Sequence, residues 1–338
     1  MSDAAPLGGR FETTGGLVED LGFVDPGPAR FRGVADVVAR LAEVGYLADE
    51  AIGTVVHLAD RLAKPVLVEG PAGTGKTELA KSVARATGSR LVRLQCYEGL
   101  DETKALYEWN YRKQLLRIQA QAVLAPEGTE PAAGDPRDPE GTERRWHDLE
   151  SDIFSEEFLL ARPLLEAIAS PEPVVLLVDE VDRIELETEA LLLEVLSEHQ
   201  VTIPELGTIR ATRIPLVFLT SNGTRELSEA LKRRCLFLHL DYPSLERERA
   251  IVAARVPGIG EELADQVARV VRSLRGLDLK KHPSVSETLD WARTLVLLGI
   301  EQVDPASTRA TLNVLLKYRS DLEKAMKELD LAAAGGDD

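Results

Sequence analysis

Cysteine is scarce in this sequence: Cys96 and Cys235 are the only two among 338 residues. They form no metal-ligand pattern, and a reducing compartment suits them. No run approaches the roughly 18 consecutive apolar residues of a membrane-spanning helix. The N-terminus has no basic segment leading into an apolar one, so neither a signal peptide nor a membrane span is expected, and the expected location is cytoplasmic. Positive charge is also in short supply, with 40 Lys and Arg against 57 Asp and Glu, a net charge of −17. A nucleic-acid duplex would meet mostly repulsion, which argues against a helicase or a DNA loader. His57, His199, His239 and His282 have no metal-site spacing, and no internal repeat is present. Hydrophobic residues, at 44%, are enough for a real core, and the length suggests two domains or one with a sizeable extension.

One stretch organises the rest. Pro65–Glu69 is a short apolar run of the kind that forms a parallel strand buried on both faces. Gly70-Pro71-Ala72-Gly73-Thr74-Gly75-Lys76-Thr77 then fits the phosphate-binding pattern G-x-x-x-x-G-K-[ST]. Glycines let backbone N–H groups and a helix N-terminus approach negative charge without a Cβ in the way. In this pattern Lys76 neutralises β- and γ-phosphates and the Thr77 hydroxyl ligates Mg²⁺. Glu78–Thr87 places Leu79, Ala80, Val83 and Ala84 on one helical face, and Gly88 suits a left-handed cap. The strand, loop and helix are in the order that nucleoside triphosphate binding requires.

The remaining chain divides by composition and period. Residues 1–29 are rich in Gly, Pro and small residues and read as a flexible tail; 30–243 form an α/β core; 244–330 form a smaller all-helical unit; 331–338 read as a disordered tail. Within the core, residues 97–170 are an insertion, with an acidic, Pro- and Gly-rich loop at 125–142 and helices expected over 102–124 and 155–169. In the first of these helices Tyr107 and Tyr111 would share a face suited to core packing. Trp109, on another side, is then the better candidate for a partner surface. Strands are expected at 90–95, 173–178, 215–220 and 236–240, and a β-hairpin at 201–210. Helices are expected at 245–255, 261–274, 286–298 and 305–329. Strands alternating with helices imply a parallel, doubly wound sheet.

Two carboxylates end the buried strand at Val174–Val178. Ligands of such sheets sit at the carboxyl ends of the strands, beside the phosphate loop. Asp179 would support Mg²⁺ directly or through a water, and Glu180 would polarise an attacking water as general base. The following strand ends at Ser221-Asn222, where Asn222 either caps a turn or hydrogen-bonds the γ-phosphate and the lytic water. Arg233 and Arg234 close a short helix, either as a solvated terminus favoured by the helix dipole or as an arginine finger. The phosphate loop's own neighbourhood supplies no arginine in the linear sequence, which favours a finger acting from another subunit.

In order, these features resemble an AAA+ ATPase over roughly residues 31–329: a P-loop NTPase sheet flanked by helices, followed by a smaller all-α lid. The insertion before Asp179 and the hairpin before Asn222 resemble the MoxR branch. Within it, CYEGLDETKALYEWNYRKQLL, DEVDRIELETEALLLEVLSEHQVTIPELGTIRA and HPSVSETLDWA look like the CoxD type. The resemblance implies ATP and Mg²⁺ as cofactors, with the loop Gly70–Thr77 and Asp179 holding them. It implies catalytic roles for Glu180, Asn222 and a trans-acting Arg234, with Arg233 the alternative. It further implies a homo-oligomeric ring such as a hexamer, a von Willebrand factor A partner protein and a client metalloenzyme. One departure stands out: the lid arginine usual in this family falls on Glu287, and the nearest downstream arginine is Arg293. Remodelling of a protein partner is the leading expectation, a nucleic-acid-associated motor the alternative. A GTPase is disfavoured because Asn222-Gly223-Thr224-Arg225 is not the guanine-reading motif.

Overall fold

A computed structural model describes residues 28–124 and 152–329. Most of the 1–29 tail, the 125–142 loop and the 331–338 tail lie outside these residues.

Five strands form the central parallel sheet: β1 (Val66–Glu69), β2 (Arg90–Gln95), β5 (Val174–Asp179), β8 (Leu216–Ser221) and β9 (Leu236–His239), in the order β2-β5-β8-β1-β9. Alternation along each strand decides which face a side chain covers. Val175, Leu177, Leu216 and Phe218 join a core with α1 (Val34–Glu43), α2 (Glu50–Leu62) and α3 (Lys76–Thr87). Leu176, Val178, Val217 and Leu219 face the opposite core, shared with the insertion. Both faces are covered, which is why the strand before Asp179 is apolar at every position.

The insertion differs from its sequence reading. Instead of one helix over 102–124, there is a short α4 (Glu102–Ala105), then β3 (Tyr107–Trp109), then α5 (Tyr111–Leu124). Instead of one helix over 155–169, a 3₁₀ turn leads into β4 (Leu159–Ala161) and α6 (Pro163–Ala169). β3 and β4 pair antiparallel, with Trp109 opposite Leu159. Partners some fifty residues apart in the chain override local helix propensity here, which no local window can register. One local cue exists: Arg162 precedes Pro163, and a residue before proline is pushed toward extended geometry. Tyr107 packs against the core as expected, but the roles of Trp109 and Tyr111 invert. Trp109 is buried, with an edge-on contact to Phe154 at 5.1 Å, whereas Tyr111 is 62% exposed.

After α7 (Leu186–Glu198), the hairpin of β6 (Gln200–Ile203) and β7 (Gly207–Arg210) forms as expected, and α8 (Glu229–Arg234) follows β8. The C-terminal region is helical: α9 (Leu245–Arg255), α10 (Glu261–Arg275), α11 (Val285–Leu297), α12 (Pro305–Leu315) and α13 (Arg319–Glu328). Its core surrounds Trp291, whose indole N–H donates to Thr311 Oγ1 at 2.7 Å. Ser244, Ser284 and Asp304 cap the starts of α9, α11 and α12 through side-chain oxygens. The single helix expected over 305–329 is broken at Leu316–Tyr318 without proline or glycine. Leu316 is drawn into the core, and buried Asp321 accepts from the N–H groups of Lys280 and Lys281. Among the described residues no helix is long and apolar enough to cross a membrane.

This helical region docks onto the sheet domain through α9. Arg247 donates to Asp49 Oδ2 at 2.6 Å and to the Leu47 carbonyl at 2.8 Å. Arg255 reaches Glu78 on α3 at 3.4 Å. These contacts set the helical region over the start of α3.

Candidate active site

The sheet order places β8 between β1 and β5, so all three strand ends open on one edge. The loop Gly70–Gly75 leaves β1, Asp179 and Glu180 end β5, and Asn222 follows β8. Sequence distance therefore collapses: Lys76 Nζ donates to Asn222 Oδ1 at 2.9 Å, and Thr77 Oγ1 to Asp179 Oδ1 at 3.0 Å.

The loop is shaped by close approach. A Cβ on Gly70, at φ +154°, would sit 1.9 Å from the Leu240 carbonyl oxygen. A Cβ on Gly73, at φ +77°, would sit 2.1 Å from the Ser284 Cβ. Both positions exclude other residues, one for the adjoining strand and one for the start of α11. Lys76 is buried, and its ammonium also donates to the carbonyls of Gly70 at 2.6 Å and Pro71 at 2.7 Å. Thr74 Oγ1 shares the Pro71 carbonyl at 3.0 Å, while Ala72 and Gly73 are exposed at the loop's apex. Burial holds the Lys76 pKa below the ordinary lysine value, against the opposing pull of Asp182, Asp179, Glu180 and Glu69.

Asp179 is almost fully enclosed and both of its carboxylate oxygens are engaged. Oδ1 accepts from Thr77 and from Thr220 Oγ1 at 2.5 Å, and Oδ2 accepts from Arg93 at 2.6 Å. Glu180 lies at φ 59°, ψ 49°, a left-handed geometry that costs a non-glycine residue about 1–2 kcal/mol. Its N–H is held by Thr220 Oγ1 at 2.9 Å. The Glu180 carboxylate accepts from Gln95 Nε2 at 3.0 Å and pairs with Arg183 at 3.1 Å. Strain of this kind is what surrounding structure maintains at functional sites.

Four participants were missed in the sequence. Arg93 and Gln95 lie two apart on β2 and so share a face, and they end where ligands of such sheets bind. That alternation was the available signal. Arg93 and Arg183 both flank the acids; register, not sequence proximity, brings Arg93 there. Thr220 was read only as strand. Asp182, one turn past the acid pair, accepts from Asn222 N at 3.2 Å, Thr224 N at 3.0 Å and Thr224 Oγ1 at 2.6 Å. Burial pushes the Asp182 pKa up, and these donors more than offset it, leaving a net depression.

The arginines of α8 stand apart. Arg233 pairs with Glu229 at 3.7 Å and Arg234 donates to the Ala230 carbonyl at 3.2 Å, both exposed on their own helix. The start of α11 does meet the phosphate loop, but by backbone: Val285 N–H donates to the Gly73 carbonyl at 3.1 Å. Glu287 closes a capping box with Ser284 and pairs with Lys281 at 3.0 Å, while Arg293 pairs with Asp290. An acid at position 287 is thus occupied in helix capping. Cys96, whose N–H bonds the Asp179 carbonyl, and Cys235 are both unpaired, and burial pushes each thiol up to about 12. Neither is a nucleophile at neutral pH.

The description AAA domain (dynein-related subfamily) matches residues 65–235, from the first residue of the apolar run through the end of α8 and half of the chain. This chain belongs to the AAA family. Three curated relatives are more distant matches. An uncharacterized protein of Staphylococcus aureus strain USA300 is 24% identical over 75% of this chain and 85% of its own length. The gas vesicle ATPase GvpN1 of Halobacterium salinarum is 24% identical over 86% of this chain and 82% of its own. The gas vesicle ATPase GvpN of Ancylobacter aquaticus is 26% identical over 70% of this chain and 62% of its own. Among solved structures, a RuvB Holliday junction branch migration motor of Thermotoga maritima aligns over 89% of this chain and 72% of its own, at 17% identity and a TM-score of 0.38. The AAA core with its parallel five-stranded sheet and C-terminal helical region is an ATPase scaffold.

Proposed function

We propose that this AAA+ ATPase hydrolyses Mg²⁺-bound ATP to remodel or activate a partner protein, and that it is of the MoxR type. One observation carries the reading: Lys76 hydrogen-bonds Asn222 and Thr77 hydrogen-bonds Asp179, so the phosphate loop meets the ends of the two neighbouring strands, with Glu180 next in the chain after Asp179. A hydroxyl and a carboxylate oxygen are the hard donors that Mg²⁺ takes, so Thr77 and Asp179 fit that ion. Bound there, it would neutralise charge on the phosphates.

The chain's own groups divide the work. Lys76 exchanges the carbonyls of Gly70 and Pro71 for phosphate oxygens, a trade of neutral acceptors for charged ones. The N–H groups of residues 72–77 cradle the phosphates. Glu180 takes a proton from the attacking water, and Asn222, held by Asp182, orients that water. Arg234 or Arg233, exposed at the end of α8, reaches the site of the next protomer in a ring such as a hexamer. The net charge of −17 weighs against the nucleic-acid motor reading.

The finer assignment rests on the CoxD-like stretches: a von Willebrand factor A partner and a client metalloenzyme. The gas vesicle ATPases among the relatives favour ATP hydrolysis as the activity. The test is a pair of variants. Lys76→Ala should weaken ATP binding, whereas Glu180→Gln should bind ATP normally and lose turnover by about 10²–10⁴-fold, as loss of a positioned base does. Near-wild-type hydrolysis by Glu180→Gln overturns the assignment. Stimulation of hydrolysis by DNA, and by no protein partner, overturns the remodelling role.

A further inference from the structure

We infer that Arg93 is a built-in counter-ion of the metal-binding carboxylate, seated where it competes with the divalent cation. The inference rests on the reading above that Asp179 supports that cation. The Asp179 side chain is 5% exposed and that of Arg93 46% exposed, so the two ends of this pair are unlike. The carboxylate is fixed by Thr77 and Thr220 on Oδ1 and cannot leave, while the guanidinium, on Oδ2 at 2.6 Å, extends from the edge strand β2 toward solvent. Arg93's other hydrogen-bond partner is the neutral amide oxygen of Gln95, so Asp179 is the carboxylate that holds it.

A buried carboxylate without a partner charge is costly, and Arg93 supplies that charge when no metal is present. A divalent cation beside Asp179 would meet the guanidinium's like charge a few ångströms away, so cation and Arg93 exclude one another at Oδ2. Two consequences of opposite sign follow. Without metal, Arg93 lowers the repulsion between the acid cluster and a triphosphate. With metal, Arg93 must be displaced, which weakens metal binding by the strength of the pair. For a pair half open to water that strength corresponds to about 1.5-fold to fivefold in affinity.

The experiment measures Mn²⁺ binding to the ADP complex by electron paramagnetic resonance, and ATP binding in EDTA by calorimetry, for the wild type, Arg93→Gln, Arg93→Lys and Asp179→Asn. Arg93→Gln should bind Mn²⁺ about 1.5-fold to fivefold more tightly and metal-free ATP more weakly, with Arg93→Lys between it and the wild type. Damage to the fold would weaken both, so opposite shifts are specific to the exchange. Unchanged or weaker Mn²⁺ binding by Arg93→Gln overturns the inference, and if Asp179→Asn still loses the ion, the metal assignment itself stands. Unaltered Mn²⁺ binding in Asp179→Asn overturns both.

Discussion

Gly73→Ala is the sharpest test of the contact between the helical region and the phosphate loop. The added Cβ would lie 2.1 Å from the Ser284 Cβ, where two carbons rest about 3.5–4.0 Å apart. The start of α11 must therefore retreat by about 1.5 Å, the shortfall between those separations. The retreat breaks the 3.1 Å hydrogen bond from Val285 N–H to the Gly73 carbonyl, worth about 1 kcal/mol net. Alanine at φ +77° adds about 1–2 kcal/mol of backbone strain. The sum is about 2–3 kcal/mol, with the strain in the loop and the remainder in the docking of α11. Ser284→Gly removes the obstructing Cβ and, as an N-cap change to glycine, costs only a few tenths of a kcal/mol itself. In Gly73→Ala/Ser284→Gly the docking part should return and the strain should remain. Amide hydrogen exchange at Val285, without nucleotide, reads the docking part, and urea unfolding reads the total. Wild-type protection of Val285 in Gly73→Ala, or no recovery in the double variant, would refute the reasoning. Gly70→Ala has no such rescue, because its obstacle is the Leu240 backbone carbonyl.

Three further outcomes are expected. Arg234→Ala should bind ATP but hydrolyse it about 10³–10⁵-fold more slowly, and mixing it with Lys76→Ala should restore activity. Random rings would hold about a quarter of complete interfaces; confirmed subunit exchange without recovery would rule out shared sites that work independently. His199 is buried at φ 50° with Nδ1 unpartnered, and burial depresses its pKa below 6.5. The unfolded chain then takes up the proton first, so this contribution to stability is complete above pH 6.5 and declines as pH falls toward the folded value. His199→Asn, which tolerates the left-handed geometry, should flatten that decline in urea midpoints measured at about pH 7.5 and 5.5; equal slopes would show that another group carries it. Trp291→Phe should cost about 1–3 kcal/mol in unfolding experiments, because Thr311 loses its buried donor. A loss no larger than a surface change would show that water replaces the indole.

The phosphate loop was legible because its chemistry is local. Glycines at fixed offsets, one lysine and one threonine act through the backbone of eight consecutive residues. Asp179 and Glu180 were legible because a strand buried on both faces must be apolar, so charges at its end mark the sheet's carboxyl edge. Helix starts at Ser244, Ser284 and Asp304 were equally local, each a capping side chain before a periodic run. The parallel sheet flanked by helices followed from the alternation of strands and helices.

Pairing at a distance was not legible. Tyr107–Trp109 became a strand only because Leu159–Ala161 was there to pair with it, and Trp109 went inside for the same reason. The long C-terminal helix broke where Leu316 and Asp321 found partners outside it. Arg93 reached Asp179 because β2 lies beside β5 with Gln95 opposite Asp179, a register that nothing in either strand specifies alone. Side-chain contacts between strands depend on neighbour order and register, and those are settled by the packing of the whole sheet. The sequence by itself determined where the phosphate-loop motif lies and which strand ends stand beside it. The tertiary structure decided which charges face one another across it.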